Sequence, residues 1–331
     1  MKTALPLISV VLNVYNEQEI IAECLSRIRE QNYPQKYIEI IIVDDDSTDN
    51  TVKIAKQFHV TVVRSGHRNR ERAKSIGLEH VNGEILLLMD ADVFLISKNY
   101  IRRTVDLLTK YPNAVAAQSI RWEYKKNDHI INRYCNLFGI ADPMALFLGK
   151  RGALMETETI WPYKDTIIEQ GRDYFLARFT PQNLPTIGAI GYMVRKKDIY
   201  KTSWKPYFFH LDTAYELVAM GKNEFLLTKL AVEHRFVYSF SEYFSKLMRN
   251  MQLFLELQRH RKYNYDATFL RVFFAVLLMV TILYPLSQSI RGYSKKPDLA
   301  WFLHPLFCFF VPILYSCIVL RWRLTNHLKT K

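Results

Sequence analysis

The first 120 residues alternate between short apolar runs and segments with the spacing of a helix face. Residues 7–12 form a run rich in β-branched side chains, which is typical of a strand covered on both faces. In residues 17–31 the apolar positions recur every three or four residues, as on one side of a helix. The same two patterns predict strands at residues 37–43, 60–63 and 85–89 and helices at residues 51–58 and 70–80. Strands that alternate with helices indicate right-handed crossovers and an α/β fold with a mainly parallel, doubly wound sheet.

The middle of the chain shows these patterns less regularly. We expect strands at residues 114–122, 186–194 and 225–232, and a helix at residues 210–220 that Gly221 ends. Residues 142–180 have no clear period, so loops and short helices over the sheet are expected there. These elements and those of the first segment are assigned to one domain over residues 1–235.

The pattern changes after residue 240. Residues 241–262 predict a basic amphipathic helix, with apolar side chains on one face and lysine and arginine away from it. A helix of this kind lies flat in the interface of a bilayer. A surface helix that packs on the domain fits the same pattern equally well.

Two apolar stretches follow, at residues 272–290 and 299–320, and both are about long enough to span a membrane. A polar turn at residues 291–298 separates them. Eight basic residues flank the pair and three lie in the turn, so the positive-inside rule predicts a transmembrane hairpin over residues 268–322. Both ends of the hairpin, and a basic tail at residues 323–331, are then expected in the cytoplasm. A buried helical hairpin in a soluble protein is the alternative.

The composition favours anionic binding partners but does not identify one of them. The 331 residues include 45 lysines and arginines and 32 aspartates and glutamates, so the net charge of +13 favours a lipid surface, nucleic acid or phosphorylated substrates. No nucleic-acid motif is present, so we set that partner aside. The four cysteines are scattered, which indicates free thiols in a reducing compartment. Since the N-terminus has no signal-peptide pattern, we expect the α/β domain to be cytoplasmic.

Acidic residues follow the predicted strands. The strand at residues 85–89 ends in Asp90-Ala91-Asp92, which places two carboxylates at the edge of the sheet where ligands bind. Hard oxygen ligands suit Mg²⁺ or Mn²⁺, which bridge to phosphate oxygens. The alternative is that these acids cap the next helix.

Two further strands deliver polar groups to the same edge. One ends in Asp44-Asp45-Asp46-Ser47-Thr48, and the first ends in Asn13-Val14-Tyr15-Asn16-Glu17. Lys74, in the helix that starts near residue 70, can reach the same place and meet a diphosphate. The sequence therefore predicts one crevice for a phosphorylated ligand.

Three motifs in this order resemble those of the family 2 glycosyltransferases. They are residues 12–17 (Leu-Asn-Val-Tyr-Asn-Glu), 43–48 (Val-Asp-Asp-Asp-Ser-Thr) and 89–92 (Met-Asp-Ala-Asp). The resemblance covers the first 120 residues well and the next 110 loosely. It implies a GT-A (Rossmann-like) fold, an inverting transfer from a nucleotide sugar, and a divalent metal, Mg²⁺ or Mn²⁺.

By position, the resemblance also implies roles for single residues. Asp92 would bind the metal, with His234 as a further ligand, although a lone histidine is commonly structural. Asp212 would be the general base, and residues 186–191 would let sugar and acceptor approach a strand, unless they serve only close packing. Asp90 would lie near the ribose or the donor sugar and take part in catalysis. The implied donor-binding residues are Asn13, Tyr15, Glu17, Asp45, Lys74, Asp90 and Ala91.

The function is left open among three hypotheses, two of which differ in the acceptor of the sugar. The first is a membrane lipid, a polyprenyl phosphate, whose phosphate Arg195, Lys246 and Arg249 could hold, although a single residue of this kind is more often an ordinary surface charge. Such a phosphate needs no base, and Asp212 would then only orient it. The second is a growing saccharide or another glycolipid in the synthesis of cell-envelope polysaccharide, and the third is a non-catalytic membrane scaffold. The chain has Val93-Phe94 where the polyprenyl-phosphate mannose synthases have a glutamine after the metal-binding acids. Close kinship with that subgroup is therefore not expected. The oligomeric state cannot be read from the sequence.

Overall fold

The computed structural model describes residues 5–188, 190–265 and 267–329. The predictions made for residues 1–4, for Ala189 and for residues 330–331 lie outside this part of the chain. Two compact units are formed, one by Met1–Glu123 with Trp161–His234 and the other by Tyr124–Ile160 with Arg235–Lys331. The first unit thus leaves out residues 124–160, which the predicted domain of residues 1–235 had included.

The strands and helices are named in chain order. The strands are β1 (Ile8–Val14), β2 (Ile38–Asp44), β3 (Thr61–Arg64), β4 (Ile85–Asp90), β5 (Val93–Leu95), β6 (Ala114–Ser119), β7 (Ile167–Gln170), β8 (Tyr174–Arg178), β9 (Tyr192–Arg195), β10 (Glu224–Thr228) and β11 (Val232–His234). The helices are α1 (Ile21–Arg29), α2 (Thr51–Ala55), α3 (Arg70–Glu79), α4 (Tyr100–Lys110), α5 (Ile130–Phe138), α6 (Pro143–Phe147), α7 (Lys196–Ile199), α8 (His210–Ala219), α9 (Phe240–Glu256), α10 (Phe269–Val280), α11 (Leu283–Lys295) and α12 (Leu303–Lys329).

The first unit is built on a mixed sheet in the order β3-β2-β1-β4-β9-β6-β10-β8-β7. Strands β3, β2, β1 and β4 are parallel, whereas β9 runs against β4 and β6, and β8 runs against β10 and β7. The side chains of β1, β2 and β4 are almost all buried, as their apolar runs predict. The expected α/β fold with a mainly parallel sheet is confirmed.

Helix α3 lies close against the parallel strands. The side chain of Asn69 caps its first turn by accepting a hydrogen bond from the N–H of Arg72 at 3.0 Å. Gly77 faces the sheet, and a Cβ atom there would lie 2.7 Å from the methyl groups of Val11 and Val43. The missing side chain therefore allows the close approach that brings Lys74 to the carboxyl edge.

Two predicted strands differ in the structure. Residues 186–188 and 190–191 are irregular and only β9 is a strand, because Gly188 and Gly191 have φ angles of 115° and 58°. The predicted strand at residues 225–232 is two strands, since the chain turns after β10 and β11 then pairs with β5 in a separate small sheet. The hairpin of β7 and β8 lies in residues 142–180, where only loops and short helices were expected.

The second unit contains α5, α6 and α9–α12. The predicted amphipathic helix is α9, which buries Tyr243, Leu247 and Leu255. The ring of His304, near the start of α12, stacks on Phe138 of α5 with 4.1 Å between ring centres. These contacts give the unit a core of its own.

The predicted transmembrane hairpin is not confirmed. Among the described residues, one helix, Leu299–Thr325, is long and apolar enough to cross a membrane. The other predicted span is divided into α10 and α11, which meet at an angle of 66°.

Candidate active site at the carboxyl edge of the sheet

The loops that follow β1 and β2 are joined by hydrogen bonds. The side-chain oxygen of Asn16 accepts a hydrogen bond from the N–H of Thr48 at 2.8 Å, and the N–H of Asn16 donates to Ser47 Oγ at 3.0 Å. Asn16 and Asp46 have positive φ angles of 54° and 65°, which asparagine and aspartate tolerate better than most residues. The two strand ends therefore form one continuous rim.

Three residues expected to bind the donor lie on this rim. Asp45 is buried and accepts a hydrogen bond from Ser65 Oγ, which holds its carboxylate in place. The ring of Tyr15 is 46% exposed and is available to a planar ligand. The N–H of Glu17 donates to Thr51 Oγ1 at 2.7 Å, so the chain at Glu17 is tied to the start of α2.

Lys74 lies at the centre of a group of charged and polar side chains. Its ammonium is 3.5 Å from Asp90 Oδ1, 3.9 Å from Glu71 Oε2 and 2.9 Å from His210 Nε2. The lysine side chain is only 9% exposed. Residues from α3, β4 and α8 thus meet at one point of the sheet edge.

The charges in this group control protonation. Although burial alone would raise the pKa of Asp90, the positive charges of Lys74 and Arg70 hold it well below its usual range. Burial and the charge of Lys74 lower the pKa of His210 well below its usual value. Asp90 is therefore an anion and His210 a neutral ring at neutral pH.

Asn13 and Ala91 lie beside this group. Asn13 is paired in register with Asp90 across β1 and β4, and Ala91 is buried directly after the strand. The side-chain oxygen of Asn13 is buried and has no hydrogen-bond partner among the described residues. Asn13 lines a small cavity together with Lys74 and His210, so its oxygen is a polar atom that a bound ligand could satisfy.

Asp92 and His234 form a second pair on the same side. Asp92 Oδ1 and His234 Nε2 are 3.8 Å apart, because β11 is paired with β5 and places His234 opposite Val93. The edge of the His234 ring packs against Trp122, with 5.2 Å between ring centres. One carboxylate and one imidazole at this separation fit a shared divalent cation, whose ligand distances are about 2.0–2.2 Å. Within the described ranges, no three His, Cys, Asp or Glu side chains form a complete metal site, so phosphate or water oxygens would supply the other ligands.

Asp212 is buried in the first turn of α8, two positions after His210. Gly188 lies against this turn, and a Cβ atom there would be 2.8 Å from Cβ of His210. Gly191 is similarly close to Tyr100, whose hydroxyl donates to the Gly191 carbonyl at 2.6 Å. The two glycines of residues 186–191 therefore allow close packing around α8 and α4, and the approach of sugar and acceptor to this segment stays a prediction.

Of the three residues expected to bind the acceptor, Arg195 lies away from this edge. Arg195 is paired with Ile85, the first residue of β4, and its guanidinium donates to the carbonyls of Leu108 and Ala114 at the opposite edge. Lys246 and Arg249 belong to α9 in the second unit. The ammonium of Lys246 donates to the Phe236 carbonyl, and it is 3.3 Å from Glu242 Oε1.

Sequence reasoning missed Arg70, Glu71 and His210. Glu71 and Lys74 are three residues apart on one face of α3, and this spacing could have identified Glu71 as a partner. Burial would lower the pKa of Arg70, but Glu71 and Asp90 raise it. No local signal marks His210, because its partner Lys74 is distant in sequence.

Comparison with known sequences supports the interpretation of the first unit. Residues 9–172 match the family model described as glycosyl transferase family 2. Glycosyltransferase AglE of Haloferax volcanii is 35% identical over 98 residues, which cover 28% of this chain and 32% of that protein. An undecaprenyl-phosphate 4-deoxy-4-formamido-L-arabinose transferase of Shewanella sediminis is 31% identical over 94 residues, which cover 26% of this chain and 28% of that protein. The chain thus spans about a third of the length of these curated relatives.

A solved structure with a similar fold covers more of the chain. The mannosyltransferase PcManGT of Pyrobaculum calidifontis, in complex with GDP-Man and Mn²⁺, superposes with a TM-score of 0.54 at 16% identity. The superposition covers 95% of this chain and 88% of that chain. It confirms that the first unit has a GT-A-like fold.

Proposed function

Since the chain contains a glycosyltransferase family 2 domain, we propose that it is a metal-dependent, inverting glycosyltransferase that moves a sugar from a nucleotide-sugar donor to a polyprenyl phosphate. The observation that carries this proposal is the meeting of Lys74, Asp90 and His210 at one sheet edge. The ammonium of the buried lysine can bind the oxygens of a diphosphate, and the carboxylate of Asp90 can accept hydrogen bonds from the hydroxyl groups of a sugar.

The rim of β1 and β2 would bind the donor. The exposed ring of Tyr15 can stack on the base, and Asp45 and Glu17 can accept hydrogen bonds from base or ribose. Asn13 offers its unpaired oxygen to a hydroxyl group of the ribose or the sugar. Binding the diphosphate would draw the Lys74 ammonium away from Asp90 and leave that carboxylate to the donor sugar.

Asp92 and His234 would hold the metal. When bound, a divalent cation neutralises the charge that develops on the leaving diphosphate. The mannosyltransferase of similar fold contains Mn²⁺ in its complex with GDP-Man. Trp122 packs on the His234 ring and would help to orient it.

The transfer itself needs an aligned acceptor oxygen. This oxygen attacks the anomeric carbon opposite the diphosphate, the bond from that carbon to the diphosphate breaks, and the configuration is inverted. A phosphate monoester is already an anion near neutral pH, because its second pKa is about 6. Asp212 would then orient the acceptor without accepting a proton.

Two observations support a lipid acceptor. The named Shewanella sediminis relative is an undecaprenyl-phosphate sugar transferase. In the second unit, apolar side chains of α10 and α12 such as Phe269, Phe274 and Phe310 are more than half exposed, which favours attachment to a membrane. Lys246 and Arg249 on α9 would hold the lipid phosphate.

A growing saccharide is the second candidate acceptor, and the buried carboxylate of Asp212 favours it. An alcohol acceptor must lose a proton, and Asp212 in the first turn of α8 could accept it. Labelled product that mild acid hydrolyses would indicate a sugar on a lipid phosphate. Acid-stable product would indicate a glycosidic bond to a saccharide.

The test is a turnover screen of nucleotide sugars with the full-length protein in detergent and Mn²⁺. Asp92→Asn should lower metal-dependent turnover by about 100-fold or more, as does the loss of other charge-stabilising groups, and should keep the circular dichroism spectrum. The control is Asp106→Asn, which changes an exposed aspartate 3.1 Å from Arg102 on α4 and should leave turnover unchanged. Equal rates for both variants would remove Asp92 from the mechanism, and no turnover of any donor by the wild type would favour a scaffold.

A further inference from the structure

Helices α10 and α11 are too short to cross a bilayer one by one. With 12 and 13 residues at about 1.5 Å each, they are about 18–20 Å long, whereas the hydrocarbon core is about 30 Å thick. The two helices meet at an angle of 66°, and a proline in the sequence accounts for this bend. Pro285 has no N–H to donate to the carbonyl of Thr281, so α10 cannot continue as one straight helix. Ile282, at the bend, has a φ angle of +60°.

The bent pair begins and ends at the same part of the second unit. Near the start of α10, the guanidinium of Arg271 donates to the carbonyl of Leu148 at 3.2 Å. Directly after α11, the ammonium of Lys296 is 2.6 Å from Glu156 Oε1. The chain from residue 148 to residue 156 can extend at most about 29 Å, since each residue spans at most 3.3–3.6 Å. The start of this segment belongs to a turn, because the N–H of Lys150 donates to the Ala145 carbonyl at 2.8 Å.

The pair is also fixed along its length. The ring of Tyr284, at the start of α11, lies 5.9 Å from the ring of Phe147, which directly precedes Leu148. Later in α11, Ser289 Oγ donates to the Trp301 carbonyl at 2.7 Å. Gly292 lies so close to the Trp301 ring that a Cβ atom would come within 2.4 Å of it. Helix α11 is therefore held against the turn that precedes α12 and does not extend away from the unit.

The surface of the pair has the chemistry of a lipid-binding element. Residues 267–297 contain no aspartate or glutamate and four basic residues, which fits an anionic leaflet. A face of large apolar side chains, each between 46% and 81% exposed, is presented by Phe269, Leu270, Phe273, Phe274, Leu277 and Leu283. An apolar face with basic ends is what enters the boundary between headgroups and acyl chains.

We propose that α10 and α11 form a re-entrant element, which enters one leaflet of an anionic bilayer and returns to the side from which it came. This inference rests on the membrane attachment in the proposed function. Its consequence is that residues 291–298 lie on the same side of the membrane as residues 124–160. A transmembrane hairpin would instead place residues 291–298 on the opposite side.

The test uses single cysteines in the full-length protein and a membrane-impermeant maleimide. The exposed Cys317 is first replaced by serine, since Cys24, Cys135 and Cys308 are buried. Ser294→Cys, exposed in the last turn of α11, then reports on the side of residues 291–298, and Asn127→Cys, also exposed, marks the side of residues 124–160. Both variants are labelled in right-side-out and in inside-out membrane vesicles.

We expect both cysteines to be labelled in the same vesicle orientation and protected in the other, with at least about a tenfold difference for each. Labelling of Ser294→Cys in the opposite orientation to Asn127→Cys, or only after detergent, would overturn the inference. Neither of these results would affect membrane attachment. A chain that stays in the soluble fraction after cell lysis would overturn the attachment together with the inference.

Discussion

At the sheet edge, the protonation of His210 decides which bond Lys74 can make. The 2.9 Å contact requires the ring nitrogen Nε2 to accept a hydrogen bond from the ammonium, which only a neutral ring can do. Burial and the charge of Lys74 both lower the pKa of this ring. His210 is therefore a positioning residue for Lys74.

We predict that His210 makes the protein less stable in mild acid. In the unfolded chain the ring takes up a proton near pH 6.5, whereas the folded ring does so only at lower pH. As the pH falls below 6.5, the unfolded state binds the additional proton, so the free energy of unfolding falls by at most about 1.4 kcal/mol per pH unit. The loss should be smaller than this limit because the residue is half-buried, so that solvent screens part of the effect. His210→Gln keeps an acceptor for Lys74 and should remove this loss.

The measurement is urea unfolding in detergent at pH 7.5 and pH 5.5, compared between variants. His67→Gln is the control, because His67 is exposed and its replacement should leave the pH dependence of the wild type unchanged. The same loss of stability in acid for His210→Gln and the wild type would show that the folded ring is protonated as readily as the unfolded one.

At the scale of the elements, the position of α3 on β1 and β2 determines where Lys74 lies. Gly77 contacts both strands three residues after Lys74, and its lack of a side chain sets the distance between helix and sheet. The cap at Asn69 fixes the other end of the helix. A small shift of α3 would therefore move the lysine away from Asp90.

We predict that Gly77→Ala destabilises the first unit and lowers turnover. The new methyl group would overlap Val11 and Val43 at 2.7 Å, and such overpacking costs about 1–3 kcal/mol. Alanine regains about 1 kcal/mol as the better helix former, so the net loss should be up to about 2 kcal/mol. Denaturant unfolding checks the stability, and nucleotide-sugar turnover checks the position of Lys74.

Arg72→Ala on the exposed side of α3 is the matched control and should change neither quantity. If Gly77→Ala were as stable and active as the wild type, a methyl group would fit between α3 and the strands, and the close contact would not determine the position of Lys74.

At the scale of the whole molecule, charge and apolar surface act together. The net charge is +13, and the stretch from residue 267 to residue 331 contains one acidic residue, Asp298. Exposed charges are screened by salt, whereas burial of apolar side chains in lipid is not. Membrane binding should therefore have a salt-sensitive part and a salt-resistant part.

We predict that the full-length protein sediments with anionic vesicles more strongly than with phosphatidylcholine vesicles at low salt. At about 0.5 M salt the difference should nearly vanish, because the screening length falls well below 10 Å, while binding to both persists. Co-sedimentation over a salt series measures this. Complete release from both vesicles at high salt would mean that the apolar face does not enter the bilayer.

The sequence alone determined the parallel half of the sheet and the rim around it. The apolar runs in β1, β2 and β4 were sufficient to predict these strands. A parallel strand is covered on both faces, so nearly all of its residues are apolar and the pattern is visible in the strand itself. The meeting of Lys74 and Asp90 followed from the rule that ligands bind at the carboxyl ends of such strands. The likeness of three short motifs to a known family then indicated the class of reaction.

Only the tertiary structure decided the contacts that depend on strand direction and on distant pairing. Arg195 lies at the far edge because β9 runs against β4, and nothing in four residues of a strand states its direction. His210 reaches Lys74, and residues 124–160 join the C-terminal helices, through contacts between segments that are far apart in sequence. The pattern of apolar residues within a segment shows which of its side chains are buried. It does not show which other segment packs against them, because that depends on the packing of the complete chain.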